Sequence, residues 1–267
     1  MYPILTNLGP LTIHSYGLMV ALGYLVGILL ILFYAKREGI PPETILDLAI
    51  WVIISGVVGA RLFYVLGQWG EYRNNPLEIF TIQKGGLVFL GGFLANLLVL
   101  LVGTKLKKIS WLKLFDAIAP GAAMGIAIGR IGCFLNGCCF GLPTQLPWGI
   151  KFPFGSLAYS YYPHDHIHPT QLYSSLAMLL VLLIIVFVIY PRKKYDGFVF
   201  YWWLIGYSLY RFSVEFLRYS PMHWLSLTPS QWIVIAFFGY GAVMLFKKGK
   251  GRGTGDSAGS RIGGGGI

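Results

Sequence analysis

The stretch GRIGCFLNGCCFG, residues 129–141, sets Arg130 at the end of a run of small apolar residues. Arg61 follows ISGVVGA, and Arg211 lies within YSLYRFSVEFLR. A guanidinium embedded in apolar sequence costs several kcal/mol at membrane depth unless it snorkels, finds a partner or lines a wet cavity, so each of the three is a functional candidate. Its fork of N–H donors matches phosphate oxygens, and the phosphate of a bilayer is that of a phospholipid headgroup. Three such groups at the outer ends of separate spans are expected to converge on that anion. The competing fate is snorkelling or internal pairing, for Arg211 with Glu215 one turn on.

Other residue types here are less chemical than they look. Cys133, Cys138 and Cys139 fit no standard zinc spacing, adjacent cysteines rarely share a metal, and an odd number cannot all pair, so they read as small packing residues with no metal expected. Of the five histidines, three fall in HDHIH at 164–168. Alternation on an extended loop does not by itself converge ligands, and His168, which opens HPTQLY, reads as a substrate-lining residue. Gly121, Gly125, Gly129 and Gly132, with Ala122, Ala123 and Ala127, give the segment before Arg130 the small surface that lets helices pack closely in lipid.

These residues need a membrane to hold them. Of 267 residues 56% are hydrophobic, 16% aromatic and only 12% charged, which excludes an ordinary soluble domain. Apolar runs near bilayer length occur at about 14–34, 45–66, 86–104, 114–134, 172–190, 197–213 and 229–246. The expected fold is therefore an all-α integral membrane protein of about seven transmembrane helices. Lys36 and Arg37, Lys105 to Lys113, Arg192 to Lys194 and Lys247 onward all fall on one side if the N-terminus lies outside and the C-terminus in the cytoplasm. The net charge of +11 is then largely a topology signal, and nucleic acid is not an expected partner. The first segment lacks the basic start and cleavage site of a signal peptide and is expected to be retained. Two outer loops, about 67–85 and 135–171, are long; the second, rich in Pro, Gly, Tyr and Phe, suits an irregular cap at the interface. Residues 1–248 form the expected membrane domain, and 249–267 a disordered glycine-rich cytoplasmic tail.

The motifs SYGLMVALGY, GARLFYVL, GGLVFLGG, GRIGCFLNGCCFG, HPTQLY and YRFSVEFLR, in that order from about residue 13 to 230, resemble those of the bacterial prolipoprotein diacylglyceryl transferases. The resemblance implies a bacterial inner-membrane enzyme that moves the diacylglyceryl group of phosphatidylglycerol onto the lipobox cysteine thiol of a preprolipoprotein signal peptide. A thioether forms and glycerol phosphate leaves. It further implies that Arg130 contacts the headgroup phosphate, that Arg211 is a second essential arginine with Glu215 beside it, and that Tyr16, Asn136 and Gly141 matter. With these, His168 and Tyr16 are the candidate catalytic side chains, while Arg61 and Gln171 of HPTQLY join the substrate-binding set. No cofactor is implied; membrane lipids surround the site.

The chain departs from the family where a base is usually sought. Leu90 replaces a histidine or tyrosine of GGLVFLGG, Cys133 and Cys138 replace asparagine and glutamate, and Ser174 stands where glutamate is frequent. Fixed cations are thus expected to carry most of the rate, because a free thiol is already partly ionised near neutrality. Two alternatives follow: a divergent paralogue with another acceptor or no catalysis, and a lipid-binding or translocating protein, which would show paired repeats and interrupted spans not evident here.

Overall fold

A computed structural model describes residues 3–8, 11–73, 76–81 and 85–253. The regular structure of the described residues is helical apart from one short N-terminal hairpin, in keeping with the expected all-α membrane fold. Strands β1 (Ile4–Leu8) and β2 (Leu11–His14) pair antiparallel with a bulge between Ile4 and Thr6, and the Ser15 amide donates to Pro3 O at 3.0 Å. The helices are α1 (Ser15–Arg37), α2 (Pro42–Gly67), the single turn α3 (Trp69–Tyr72), α4 (Phe89–Leu106), α5 (Trp111–Asn136), the short α6 (Leu157–Tyr161), α7 (Thr170–Ile184), α8 (Phe198–Glu215) and α9 (Pro229–Gly253). A π-helical turn, Ile185–Ile189, and a tight turn, Tyr190–Arg192, prolong α7.

Six of these are long and apolar enough to cross a membrane: α1, α2, α4, α5, α7 with its extension to Arg192, and α9 as far as Lys250. The chain is a multi-pass membrane protein. The seventh expected run, 197–213, forms α8, 18 residues long, which carries Arg211, Glu215 and three tyrosines and is not one of those six. Large side chains along the spans are exposed, among them Leu29, Leu98 and Phe187, as lipid-facing positions must be. The helix α9 continues past the expected boundary at residue 248, and residues 254–267 lie outside the described ones.

The chain forms two compact units, Leu30–Ile118 and the remainder. In the first, α2 packs on α4 at backbone distance: a Cβ on Gly59 would stand 2.6 Å from Gly91 O. The Ser55 hydroxyl donates to Asn96 Oδ1 across the same pair at 2.8 Å, the kind of polar link that serves where no water competes. In the second unit the small residues of α5 do what their spacing suggests. Gly125 meets Gly23 of α1 backbone to backbone, and Ala123 and Ala127 bury against Met178 and Leu182 of α7 and Tyr210 and Val214 of α8. Ser175 Oγ adds a hydrogen bond to Ala127 O at 2.8 Å.

Candidate active site

Ala123, Ala127 and Arg130 recur at i, i+4 and i+7, so Arg130 continues the α5 face that packs on α7 and α8. Its guanidinium therefore emerges among side chains of the second unit and is half-buried. Its charged and titratable neighbours are Tyr210, Cys139, Cys133 and Tyr207, and no carboxylate among the described residues pairs with it. The Tyr210 hydroxyl is buried beside it. A half-buried cation without a carboxylate partner is an anion site in waiting.

Arg211 has the opposite surroundings. It is 8% exposed, pairs with Glu215 one turn on, and donates through Nη2 to Ser230 Oγ at 3.2 Å. Thr228 Oγ1 donates to the other Glu215 oxygen at 3.0 Å, and Arg218 Nη1 lies 3.6 Å from Glu215. The sequence TPSQ makes this connection possible. Thr228 caps α9 by accepting from the Gln231 amide at 3.3 Å, while Gln231 Oε1 accepts from the Thr228 amide at 2.9 Å, a reciprocal box that fixes the start of α9 against Glu215. Internal pairing of Arg211, the competing fate set out above, is thus what the structure displays. Two arginines share one carboxylate, so the network keeps a net positive charge.

Arg218, which the sequence reading passed over, belongs to the site. Its Nε is buried and unpartnered; hydrogen bonds from the Cys133 and Cys138 thiols hold the Cys139 thiol below the usual range, and the charges of Arg218 and Arg130 act in the same direction. The available signal was its place three residues after Glu215 in YRFSVEFLR.

The loop after α5 is clamped on both sides. Gly141 N donates to His168 O at 3.1 Å, His168 N to Leu142 O at 3.0 Å, and Leu142 N to Leu217 O at 2.9 Å. A Cβ at Gly141 would stand 2.5 Å from His168 O and 2.8 Å from Leu217 O, so only glycine fits between the two flanking segments. HPTQLY supplies the remaining grip: Gln171, 1% exposed, donates from Nε2 to Cys138 O at 2.7 Å, and Thr170 Oγ1 to Cys139 O at 2.9 Å. Gln171 Oε1 has no partner.

His168 is half-buried, and its Nδ1 lies 3.3 Å from the Tyr173 hydroxyl, which accepts from Trp148 Nε1 at 2.7 Å. Tyr16 is 44% exposed at the start of α1, near Gly132 and with Cys133, Cys138, Cys139 and Arg130 as electrostatic neighbours. Asn136 ends α5 beside the Cys138 thiol. Tyr16, Arg130, Asn136, Gly141, His168, Gln171, Arg211 and Glu215 accordingly all belong to the second unit.

Arg61 is corrected. It is 6% exposed and donates to four backbone carbonyls: Ile79 at 2.9 Å, Gly85 at 2.9 Å, Gly86 at 3.2 Å and Glu78 at 2.8 Å. The rings of Tyr64 and Tyr72 lie 5.6 and 5.3 Å from its Cζ. Four of its five N–H donors hold the segment after α3. The three cysteine sulfurs, read from the sequence as packing residues, lie within 4.8 Å of one another. His164, Asp165 and His166 form no three-ligand group among the described residues.

Fold and site together define a multi-pass helical membrane protein with an unpaired arginine held among tyrosines and thiols. The family described as prolipoprotein diacylglyceryl transferase matches residues 3–247, and the chain belongs to that family. Among similar curated proteins, all named phosphatidylglycerol–prolipoprotein diacylglyceryl transferase, that of Finegoldia magna is 37% identical over 87% of this chain and 90% of its own. That of Synechococcus elongatus is 36% identical over 91% and 86%, and that of a Nostoc species 37% over 81% and 78%.

Proposed function

We propose that this chain transfers the diacylglyceryl group of phosphatidylglycerol to the lipobox cysteine of preprolipoproteins, the first step of lipoprotein maturation. Beside family membership, the observation that carries this reading is the Arg130 guanidinium without a carboxylate partner. A peptide thiolate attacks the glyceryl carbon that bears the phosphate, the carbon–oxygen bond breaks, and glycerol phosphate leaves with the bonding pair. Negative charge grows on the departing phosphate, so Arg130, with the buried Tyr210 hydroxyl beside it, stabilises the transition state more than the ground state. Arg211 and Glu215 act through Arg218 and the start of α9, as positioning groups. Asn136, Gly141 and Gln171 shape the loop in which the headgroup sits, and Tyr16 and His168 line it. Leu90, 48% exposed in the first turn of α4, accepts no proton, which suits a reaction driven by fixed charge and an already ionisable thiol.

In this reading α8 is the seventh span, the N-terminus lies outside, and the site faces the outer leaflet of the bacterial inner membrane. The basic ends of α1 and α4 and the basic segments after α7 and within the end of α9 then lie in the cytoplasm. The deciding experiment incubates the purified protein with phosphatidylglycerol and a lipobox peptide and weighs the peptide. A gain of one diacylglyceryl group on cysteine is expected. Unmodified peptide from well-folded protein refutes the assignment.

A further inference from the structure

Cys133, Cys138 and Cys139 are free thiols whose sulfurs all lie within 4.8 Å of one another. Sequence spacing alone does not gather them. The chain turns back after Asn136 through Gly137 at φ +72°, and Cys139 itself sits at φ +58°, an uncommon conformation for a residue with a Cβ. Side chains outside the cluster hold that turn: buried Gln171 and Thr170 grip the Cys138 and Cys139 carbonyls, and the Cys138 amide donates to Cys133 O at 3.1 Å. The loop is clamped further by its hydrogen bonds to His168 and Leu217 on either side. The thiols are therefore brought together by a framework anchored largely elsewhere, which is how a preorganised ligand set is made.

The donor set decides what fits. Sulfurs sharing an ion at about 2.3 Å stand about 4 Å apart, so the cluster needs to contract by less than about 1 Å. No histidine or carboxylate completes the group among the described residues, so the ligands are soft throughout. Hard cations are poorly served by such a set, Zn(II) prefers a fourth ligand, and Cu(I) is satisfied by thiolates alone. The guanidinium charges of Arg130 and Arg218 offset the negative charge that a three-thiolate complex would carry.

We propose that Cys133, Cys138 and Cys139 form a binding site for one soft, thiophilic cation, Cu(I) above all. The proposal does not depend on the transfer reaction, and it makes the cysteines of this chain more than substitutes for other residues.

The test titrates the purified, fully reduced chain anaerobically with Cu(I) in competition with a chromophoric Cu(I) chelator, with maleimide labelling of the three thiols as a second readout. The wild-type chain should withhold one Cu(I) per molecule, and the number of thiols open to maleimide should fall from three to none when copper is bound. Cys133→Ser, Cys138→Ser and Cys139→Ser, each with an unchanged elution profile, should lose that retention. Wild-type protein that withholds no copper, a triple serine variant that withholds as much, or retention of Zn(II) but not Cu(I) would overturn the proposal. So would full maleimide labelling in the presence of copper, a readout that needs no variant to fold.

Discussion

Arg130 and Arg211 carry the same charge in opposite circumstances, so the same substitution should act on different quantities. Arg130→Ala removes a cation that no carboxylate needs; transfer is expected to fall by about 10²- to 10³-fold or more, as when a transition-state donor is lost, with little change in melting temperature. Arg211→Ala leaves buried Glu215 only Arg218, at 3.6 Å, as a cationic partner, and stability should drop by up to about 3–5 kcal/mol, the cost of breaking a buried pair. Parallel assays of lipobox-peptide transfer and thermal unfolding in detergent separate the two; equal loss of activity and stability in both variants would contradict the distinction. His168→Ala should leave measurable transfer, since its ring is engaged with Tyr173 and fixed charge carries the rate. Abolition of transfer by His168→Ala with the fold intact would make it a base after all. At this scale Arg130 was legible because a cation among small apolar residues announces itself. The partners of Arg61 were not, because they are backbone carbonyls, which have no residue identity to read. The meeting of the three sulfurs was hidden for a related reason: it follows from two positive φ values.

Between elements, the site depends on a loop threaded between two others rather than on any one helix. Residues 140–144 are hydrogen-bonded to 217–219 on one side and to 166–168 on the other, and Gly141 lies where both meet. Gly141→Ala puts a Cβ 2.5–2.8 Å from two carbonyl oxygens, so the flanking segments must spread; a stability cost of about 1–3 kcal/mol is expected, together with loss of transfer. Hydrogen exchange should then quicken at the amides of Leu142, His168 and Tyr219, and unchanged exchange with lost activity would place the defect elsewhere. The helices themselves were readable, since span after span matches an apolar run of bilayer length. The loop clamp was not, as pairing of Gly141 with His168 and Arg218, far along the chain, leaves no periodic signal over so few residues. The α9 cap was visible in principle, because TPSQ carries both halves of its box.

For the whole molecule the open question is the threading of the chain, and α8 decides it. Six helices are apolar enough to span unaided, whereas α8 carries Arg211 and Glu215 near its end. If α8 also spans, the chain crosses seven times and its two ends lie on opposite sides; if it does not, they share a side. The distribution of lysine and arginine favours seven, because only then do the ends of α1, α4 and α9 and the Arg192–Lys194 segment fall together with the N-terminal hairpin opposite. The polarity of α8 is offset internally: Glu215 neutralises Arg211, Thr228 and Ser230 take up remaining hydrogen bonds, and Tyr210 packs against Ala123 and Ala127. Green fluorescent protein joined after Lys250 should therefore fluoresce in cells, since it matures in the cytoplasm. Alkaline phosphatase, active only outside, should work when joined at Phe154, an exposed residue of the loop before α6, and fail when joined at Lys194 between α7 and α8. Active phosphatase at both Phe154 and Lys194 would mean that α7 does not cross. A dark C-terminal fluorescent fusion with active phosphatase at Lys250 would leave α8 outside the membrane, and with it Arg211, whose pairing would then be a surface contact rather than part of a lipid-facing site.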